Sequence, residues 1–258
     1  MCSVTQRIKS VKQPRGGFIN PRQLDVESDL YERPRYPQED ENINAGLIGI
    51  TTDYLTRYLF GTPIEVAFSV SIEGMRRLGK SPLSLLNKIN GLDNKSISAA
   101  IKLASYDCVV RNGITAAMHH APEKANQSTC ENIRTMVTTS RDFLFAYGPV
   151  IESGIGFPGG YTDVVTSGDG DYLTANGLWD MKVSKRAPAK DHTLQLLMYW
   201  LMGSHSSLNY KYANVEKLGI YNPRLGSVFS VEIDSLSKET LHQVEVDVIG
   251  YKEKDALF

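Results

Sequence analysis

The sequence predicts an α/β protein, with a mixed sheet flanked by helices and a mainly helical region on its N-terminal side. Three observations carry that expectation. Between residues 46 and 147, apolar residues recur at helical spacing and are interrupted at Gly61-Thr62-Pro63, Gly79 to Pro82, Gly91 to Asn94 and 122–128. From Val150 onward, β-rich runs alternate with turn-rich ones, as in GYTDVV, SGDGDYLTANG and LWDMKV. A helix with Leu194, Leu197, Met198 and Leu201 at helical spacing then follows the strands, over Asp191 to Met202.

Taken in order, residues 1–45 are rich in Pro, Arg, Glu and Asp with weak periodicity, and are expected as an extended arm wrapping the domain. Residues 46–258 read as a single domain, with a mainly helical part at 46–147 and a sheet-and-helix part at 148–258. Helices are expected over Gly46 to Phe60, Pro63 to Leu78, Pro82 to Ile89, Lys95 to Arg111 and Glu131 to Ala146. Strands begin with Val150 to Phe157. After the Asp191 helix, Lys217 to Tyr221 and Ser227 to Ile233 form a hairpin around Asn222 to Gly226, and a helix or strand starts at Lys238. The segment Leu85 to Ala104 has the outline of a helix-hairpin-helix, but two short helices joined by a Gly-Leu-Asp-Asn turn produce the same string.

Composition excludes several classes. The chain has 258 residues, 41% hydrophobic and 22% charged, as in a globular protein. No apolar run reaches the roughly 20 residues that span a membrane, and the N-terminus lacks the apolar segment of a signal peptide. Cys2, Cys108 and Cys130 are widely separated, which fits a reducing cytoplasm better than a disulfide framework.

The chemistry concentrates between Gly160 and Tyr199. Asp163 lies in the β-rich run Tyr161 to Thr166, and Asp180 and Lys182 lie in Leu178 to Val183, with a Gly-, Asp- and Asn-rich stretch between them. Adjacent antiparallel strands would bring all three side chains to one place. Side chains alternate along a strand, so Asp180 and Lys182 share a face and Met181 points the other way. Two carboxylates there, with the backbone carbonyl of Met181, make a hard oxygen site for Mg²⁺ or Mn²⁺. Such a metal binds a phosphate oxygen and lowers the pKa of an attacking water, while Lys182 stabilises charge developing at phosphorus. Asp191 is the expected N-terminal cap of the next helix, on which Gln195 and Tyr199, at i and i+4, share one face. An ionised Asp180 between Trp179 and Met181 is costly unless paired or metal-bound, which favours a functional role. Asp169 and Asp171, in Ser-Gly-Asp-Gly-Asp, read as turn chemistry.

The string G-x-x-D, D-x-K, D-x-x-x-Q-L-x-x-Y resembles the PD-(D/E)XK nuclease superfamily, and within it the RecB-like exonuclease branch. The resemblance covers roughly 40 residues and rests on three elements in order. It implies a restriction-endonuclease-like core in which Asp163 and Asp180 bind the metal, Lys182 is catalytic, and Gln195 and Tyr199 contribute to the active site. Relatives add an upstream acidic residue or His, for which Asp53, His119 and His120 are the candidates. Adjacent histidines on a helix point in different directions, so the pair reads more readily as structural. Some relatives hold an iron–sulfur cluster with four Cys; three Cys exclude it within one chain.

A net charge of −1 does not announce a nucleic-acid binder, but its distribution is uneven. Residues 1–22 carry Arg7, Lys9, Lys12, Arg15 and Arg22 without an acid, and Lys185, Arg186 and Lys190 lie between Lys182 and the Asp191 helix. Those three are expected at the mouth of the site, where they would contact a phosphate backbone. The expected activity is therefore that of a Mg²⁺- or Mn²⁺-dependent deoxyribonuclease, with exonuclease action on ends, RNA remaining an open substrate. The alternatives are a catalytically silent nuclease-like module that binds nucleic acid or a protein partner, and a hydrolase of other phosphate esters. Protein partners and oligomeric state are not legible.

Overall fold

The structure, a computed structural model, describes residues 2–113 and 124–258. It is α/β, and the chain divides into two compact units. One comprises Met1–Leu30, Leu144–Asn222 and Ser227–Phe258; the other comprises Tyr31–Phe143 and Pro223–Gly226. Chain order begins with helix α1 (Val4–Ser10) and strand β1 (Asp25–Glu27) of the sheet unit. The helical unit follows with α2 (Ala45–Leu59), α3 (Ile64–Ala67), α4 (Ser69–Arg77), α5 (Leu83–Leu86), α6 (Asn94–Ala104), α7 (Asp107–Asn112) and α8 (Gln127–Ala146), the last running on into the sheet unit. There β2 (Val150–Ile155), β3 (Gly170–Thr174), β4 (Gly177–Met181), α9 (Lys190–His205), β5 (Lys217–Asn222), β6 (Ser227–Glu232) and α10 (Lys238–Gln243) complete the order, with a π-helical turn at Val244–Ile249.

The sheet runs β1-β6-β5-β4-β3-β2. Only β4 and β5 pair in parallel; the other neighbours are antiparallel. A parallel pair needs a crossover, and α9 supplies it. The helix packs on β4 and β5 and on α1, and it is buried nearly all round from Thr193 to Gly203, which is why its sequence is apolar on every side but one. Opposite α9, the indole of Trp179 lies over Gly177 and Gly219, with Tyr147 edge-on at 4.8 Å between ring centroids. Its Nε1–H donates to Thr174 Oγ1 at 3.0 Å.

Two buried carboxylates organise the helical unit. Asp107 accepts from the Tyr54 hydroxyl at 2.7 Å and from Ser71 Oγ at 2.5 Å. Burial first, then that carboxylate, pushes the Tyr54 hydroxyl far above the ordinary phenol range. Glu41 takes the Arg224 guanidinium through two bonds, at 2.9 and 3.1 Å, and Asn132 Nδ2 at 2.5 Å. No helix among the described residues is long and apolar enough to cross a membrane.

Several expectations shift. Residues 1–45 are no single arm: α1 and β1 belong to the sheet unit, where β1 is an edge strand on β6, and the division falls after Leu30. Lys95 to Arg111 breaks at Ser105–Tyr106, because the Tyr106 carbonyl sits where Gly74 of α4 would carry a Cβ, 2.1 Å away. Pro63 to Leu78 likewise divides at Phe68. In the helix-hairpin-helix-like segment, Asp93 caps α6 and accepts from the amides of Lys95 and Ser96 at 2.8 and 3.1 Å. The first turn of α6 is thus closed by its own cap.

Candidate active site

Asp180 lies at the end of β4, beside the first turns of α9, with its side chain 3% exposed. Lys182 Nζ stands 2.7 Å from Asp180 Oδ2, so the two side chains share a face as alternation requires. The strand's ladder is carried one residue further by Lys182 N–H, which donates to the Tyr221 carbonyl at 2.9 Å.

The carboxylate expected to partner Asp180, Asp163, has a different local setting from the one its sequence suggested. Asp163 was expected on a strand; it is instead in an exposed bend. That bend is fastened elsewhere: Thr162 Oγ1 donates to the Ile249 carbonyl at 2.5 Å, and Val164 rests on Gly250, where an added Cβ would come within 2.6 Å of Val164 Cγ2. The strand antiparallel to β4 is β3, in the register Tyr172↔Trp179 and Leu173↔Leu178. One step further along that register, Asp171 falls opposite Asp180. Asp171 Oδ2 accepts from the Met181 amide at 2.7 Å, which ties the two strand ends together.

α9 covers this pair. Gln195 Nε2 donates to the Tyr199 hydroxyl at 2.7 Å, as expected for i and i+4, and the Tyr199 ring stacks on Phe157 at 5.3 Å. Burial raises the Tyr199 hydroxyl well above the phenol range, and the negative charges of Asp180, Asp169 and Asp171 add to that rise against the opposing bond from Gln195. Tyr199 is therefore a neutral hydroxyl within electrostatic reach of all three carboxylates. The loop carrying Asp169 is pinned over it: a Cβ on Gly168 would sit 3.3 Å from Tyr199 Cε1, and the Tyr161 hydroxyl donates to the Gly168 carbonyl at 2.8 Å.

The loop from β4 to α9 is held by Asn222, which is buried and whose Nδ2 donates to the Ser184 carbonyl at 2.8 Å. Lys185, Arg186 and Lys190 are exposed along it. The N-terminal segment lies against the first turn of α9, where Gln13 Nε2 donates to Asp191 Oδ1 at 2.7 Å and Thr193 Oγ1 to the Ile19 carbonyl at 2.8 Å. Asp191 is consequently not the N-cap; α9 starts after Ala189, whose N–H donates to His192 Nδ1 at 3.1 Å. Burial first, then the Lys182 ammonium, holds His192 below its ordinary range, with Asp191 opposing.

Asp180, Lys182, Gln195 and Tyr199 thus come together, joined by Asp171, Asp169 and His192. Asp53 belongs to the helical unit, on α2, in an ion pair with Arg57 at 2.7 Å; His119 and His120 lie outside the described residues. Among the described residues, no group of three or more His, Cys, Asp or Glu is arranged to hold a metal ion. Comparison with family models, curated proteins and solved structures finds no match to this chain.

Proposed function

We propose that this protein is a metal-dependent nuclease that hydrolyses phosphodiester bonds of DNA, acting on ends, with a restriction-endonuclease-like core of the RecB-like PD-(D/E)XK type in its sheet unit. One observation carries the reading: a nearly buried Asp180, which the β3–β4 register continued by one step sets opposite Asp171, has the Lys182 ammonium 2.7 Å from its Oδ2. Like charges directly opposite each other oppose strand pairing, and burial of a carboxylate adds to the cost. The Lys182 ammonium offsets part of this, and a divalent cation offsets the rest.

The donor set suits a small hard cation. Mg²⁺ usually takes one or two carboxylates and completes its shell with water and substrate phosphate, so it needs no cage of three protein acids. Asp180 and Asp171 would hold it, with the Met181 carbonyl beside them, and Asp169 within reach of the same site. When bound, Mg²⁺ or Mn²⁺ supplies Lewis acidity and a water of lowered pKa. Lys182 donates to a phosphate oxygen and balances the charge that builds on it. Tyr199 remains protonated, so it is a hydrogen-bond donor, oriented by the amide of Gln195. Lys185, Arg186 and Lys190 hold the phosphate backbone outside the site.

The test is incubation of wild type and Asp180→Ala with linear and circular, single- and double-stranded DNA, in Mg²⁺, Mn²⁺ or EDTA. Metal-dependent loss of linear DNA with wild type alone supports an end-dependent nuclease. Cutting of circles would make it an endonuclease. Binding of DNA without degradation in either metal would overturn the catalytic reading.

A further inference from the structure

The first turn of α9 is closed by an imidazole where a capping box usually has Glu or Gln. Because the Ala189 amide donates to His192 Nδ1 at 3.1 Å, that nitrogen is the acceptor, and the proton of the neutral ring sits on Nε2. His192 also extends the polar stripe of α9: His192, Gln195 and Tyr199 are at i, i+3 and i+7, one face of a helix otherwise filled with Leu194, Leu197, Met198 and Leu201. Packing places that face: Gln195 Nε2 donates to the Tyr199 hydroxyl at 2.7 Å, Gly168 beside Asp169 lies against the Tyr199 ring, and α9 packs on β4, whose last residue precedes Lys182. Tyr199 lies under the charges of Asp180, Asp169 and Asp171, and His192 lies close enough to Lys182 for the ammonium to favour the neutral ring.

A neutral His192 beside Lys182 presents a specific chemistry. The ammonium has three donors and no acceptor, and Nε2–H is likewise a donor, so the two cannot bond to each other. The ammonium, paired with Asp180, and the Nε2–H both suit one group with several acceptor oxygens. A phosphate is such a group, and the exposed Lys185, Arg186 and Lys190 on the adjoining loop suit a chain of them.

We propose that His192 is a further substrate-contacting residue, whose Nε2–H donates to a phosphate oxygen of a nucleic-acid strand held beside Lys182. This rests on the nuclease reading of the site, and the two are separable. His192→Asn keeps an acceptor at the δ position for the Ala189 amide but has no donor at ε. His192→Gln keeps both an acceptor and a donor. His192→Ala keeps neither.

The experiment measures single-turnover cleavage of an end-labelled linear DNA in Mg²⁺, the Kd for the same DNA in Ca²⁺, and the melting temperature of each variant. Loss of a hydrogen bond to a charged oxygen slows a reaction by about 10- to 100-fold. The proposal predicts that slowing for Asn and Ala alike, with Gln within about threefold of wild type. If Asn cleaves as wild type does and only Ala is impaired, His192 is a cap and nothing more, and the nuclease reading stands. If wild type cleaves no DNA, the nuclease reading fails, and the Kd values decide: weaker binding by Asn than by Gln keeps the phosphate contact, and equal binding ends it.

Discussion

Asp180 stands buried at the end of β4 with Lys182 against it, and Asp171 stands in β3 rather than in a turn. A carboxylate between Trp179 and Met181 announces itself because an apolar strand has no use for it. Asp171 sits in Ser-Gly-Asp-Gly-Asp, a string that also describes a turn, and only the register of β3 on β4 puts it opposite Asp180. Asp163 had the better local sequence, yet its bend is fastened to Ile249 and Gly250, a tertiary contact that no local pattern encodes. Asp171→Ala should therefore lower DNA cleavage at least about 100-fold, whereas Asp163→Ala should stay within a few-fold of wild type, both read from initial rates in Mg²⁺. His192 makes a second residue-level prediction. Its burial favours the neutral ring, so the unfolded chain takes up its proton at a higher pH than the native one. Its contribution is complete above the ordinary histidine range and is lost as pH falls below it. Urea unfolding at pH 7.5 and 5.5 should show a smaller loss of stability in His192→Asn than in wild type.

At the scale of elements, helices and strands were legible wherever periodicity was strong, and their interruptions were not. α9 was expected over Asp191 to Met202 and runs Lys190–His205; the hairpin of β5 and β6 falls where Asn222-Pro-Arg-Leu-Gly226 placed it. The stripe His192, Gln195, Tyr199 was present in the sequence, but Gln195 and Tyr199 were singled out by a motif and His192 belonged to none. The break before α7 has no local signal, because it accompanies a close approach of Gly74 to the Tyr106 carbonyl, far apart in sequence. The packing of β4 and β5 gives a direct test. A Cβ on Gly219 would lie 2.2 Å from Trp179 Cζ3, against a rigid ring that is itself buried. Gly219→Ala should cost about 1–3 kcal/mol in urea unfolding by forcing that indole to move. A variant as stable as wild type would mean that the ring is free to shift.

For the whole molecule, the α/β class and the mixed sheet were legible from the order of helical and β-rich runs. The division into two units was not, because it separates residues 1–30 from 31–45 and assigns Pro223–Gly226 to the helical unit. Charge is the other molecular property at issue, since a net charge of −1 leaves any nucleic-acid contact to local patches. Arg7 is spent on structure, donating to the carbonyls of Val248 and Asp247 at 2.8 and 2.7 Å. Lys12 and Arg15 remain exposed on the segment that lies against the start of α9, together with Lys185, Arg186 and Lys190. The double substitution Lys185→Ala, Arg186→Ala should weaken DNA binding and flatten the dependence of log Kd on log salt by about 2. An unchanged slope would place the strand on another surface.

The central claim is hydrolysis of DNA that depends on a metal held by Asp180. Its most direct measurement is the release of nucleotide from a uniformly labelled linear duplex by wild type and Asp180→Asn, each with Mg²⁺ and with EDTA, after matched melting curves. The account predicts release only by wild type with Mg²⁺, with loss of at least about 100-fold in the variant. Equal release by Asp180→Asn, or release by wild type in EDTA, would contradict it.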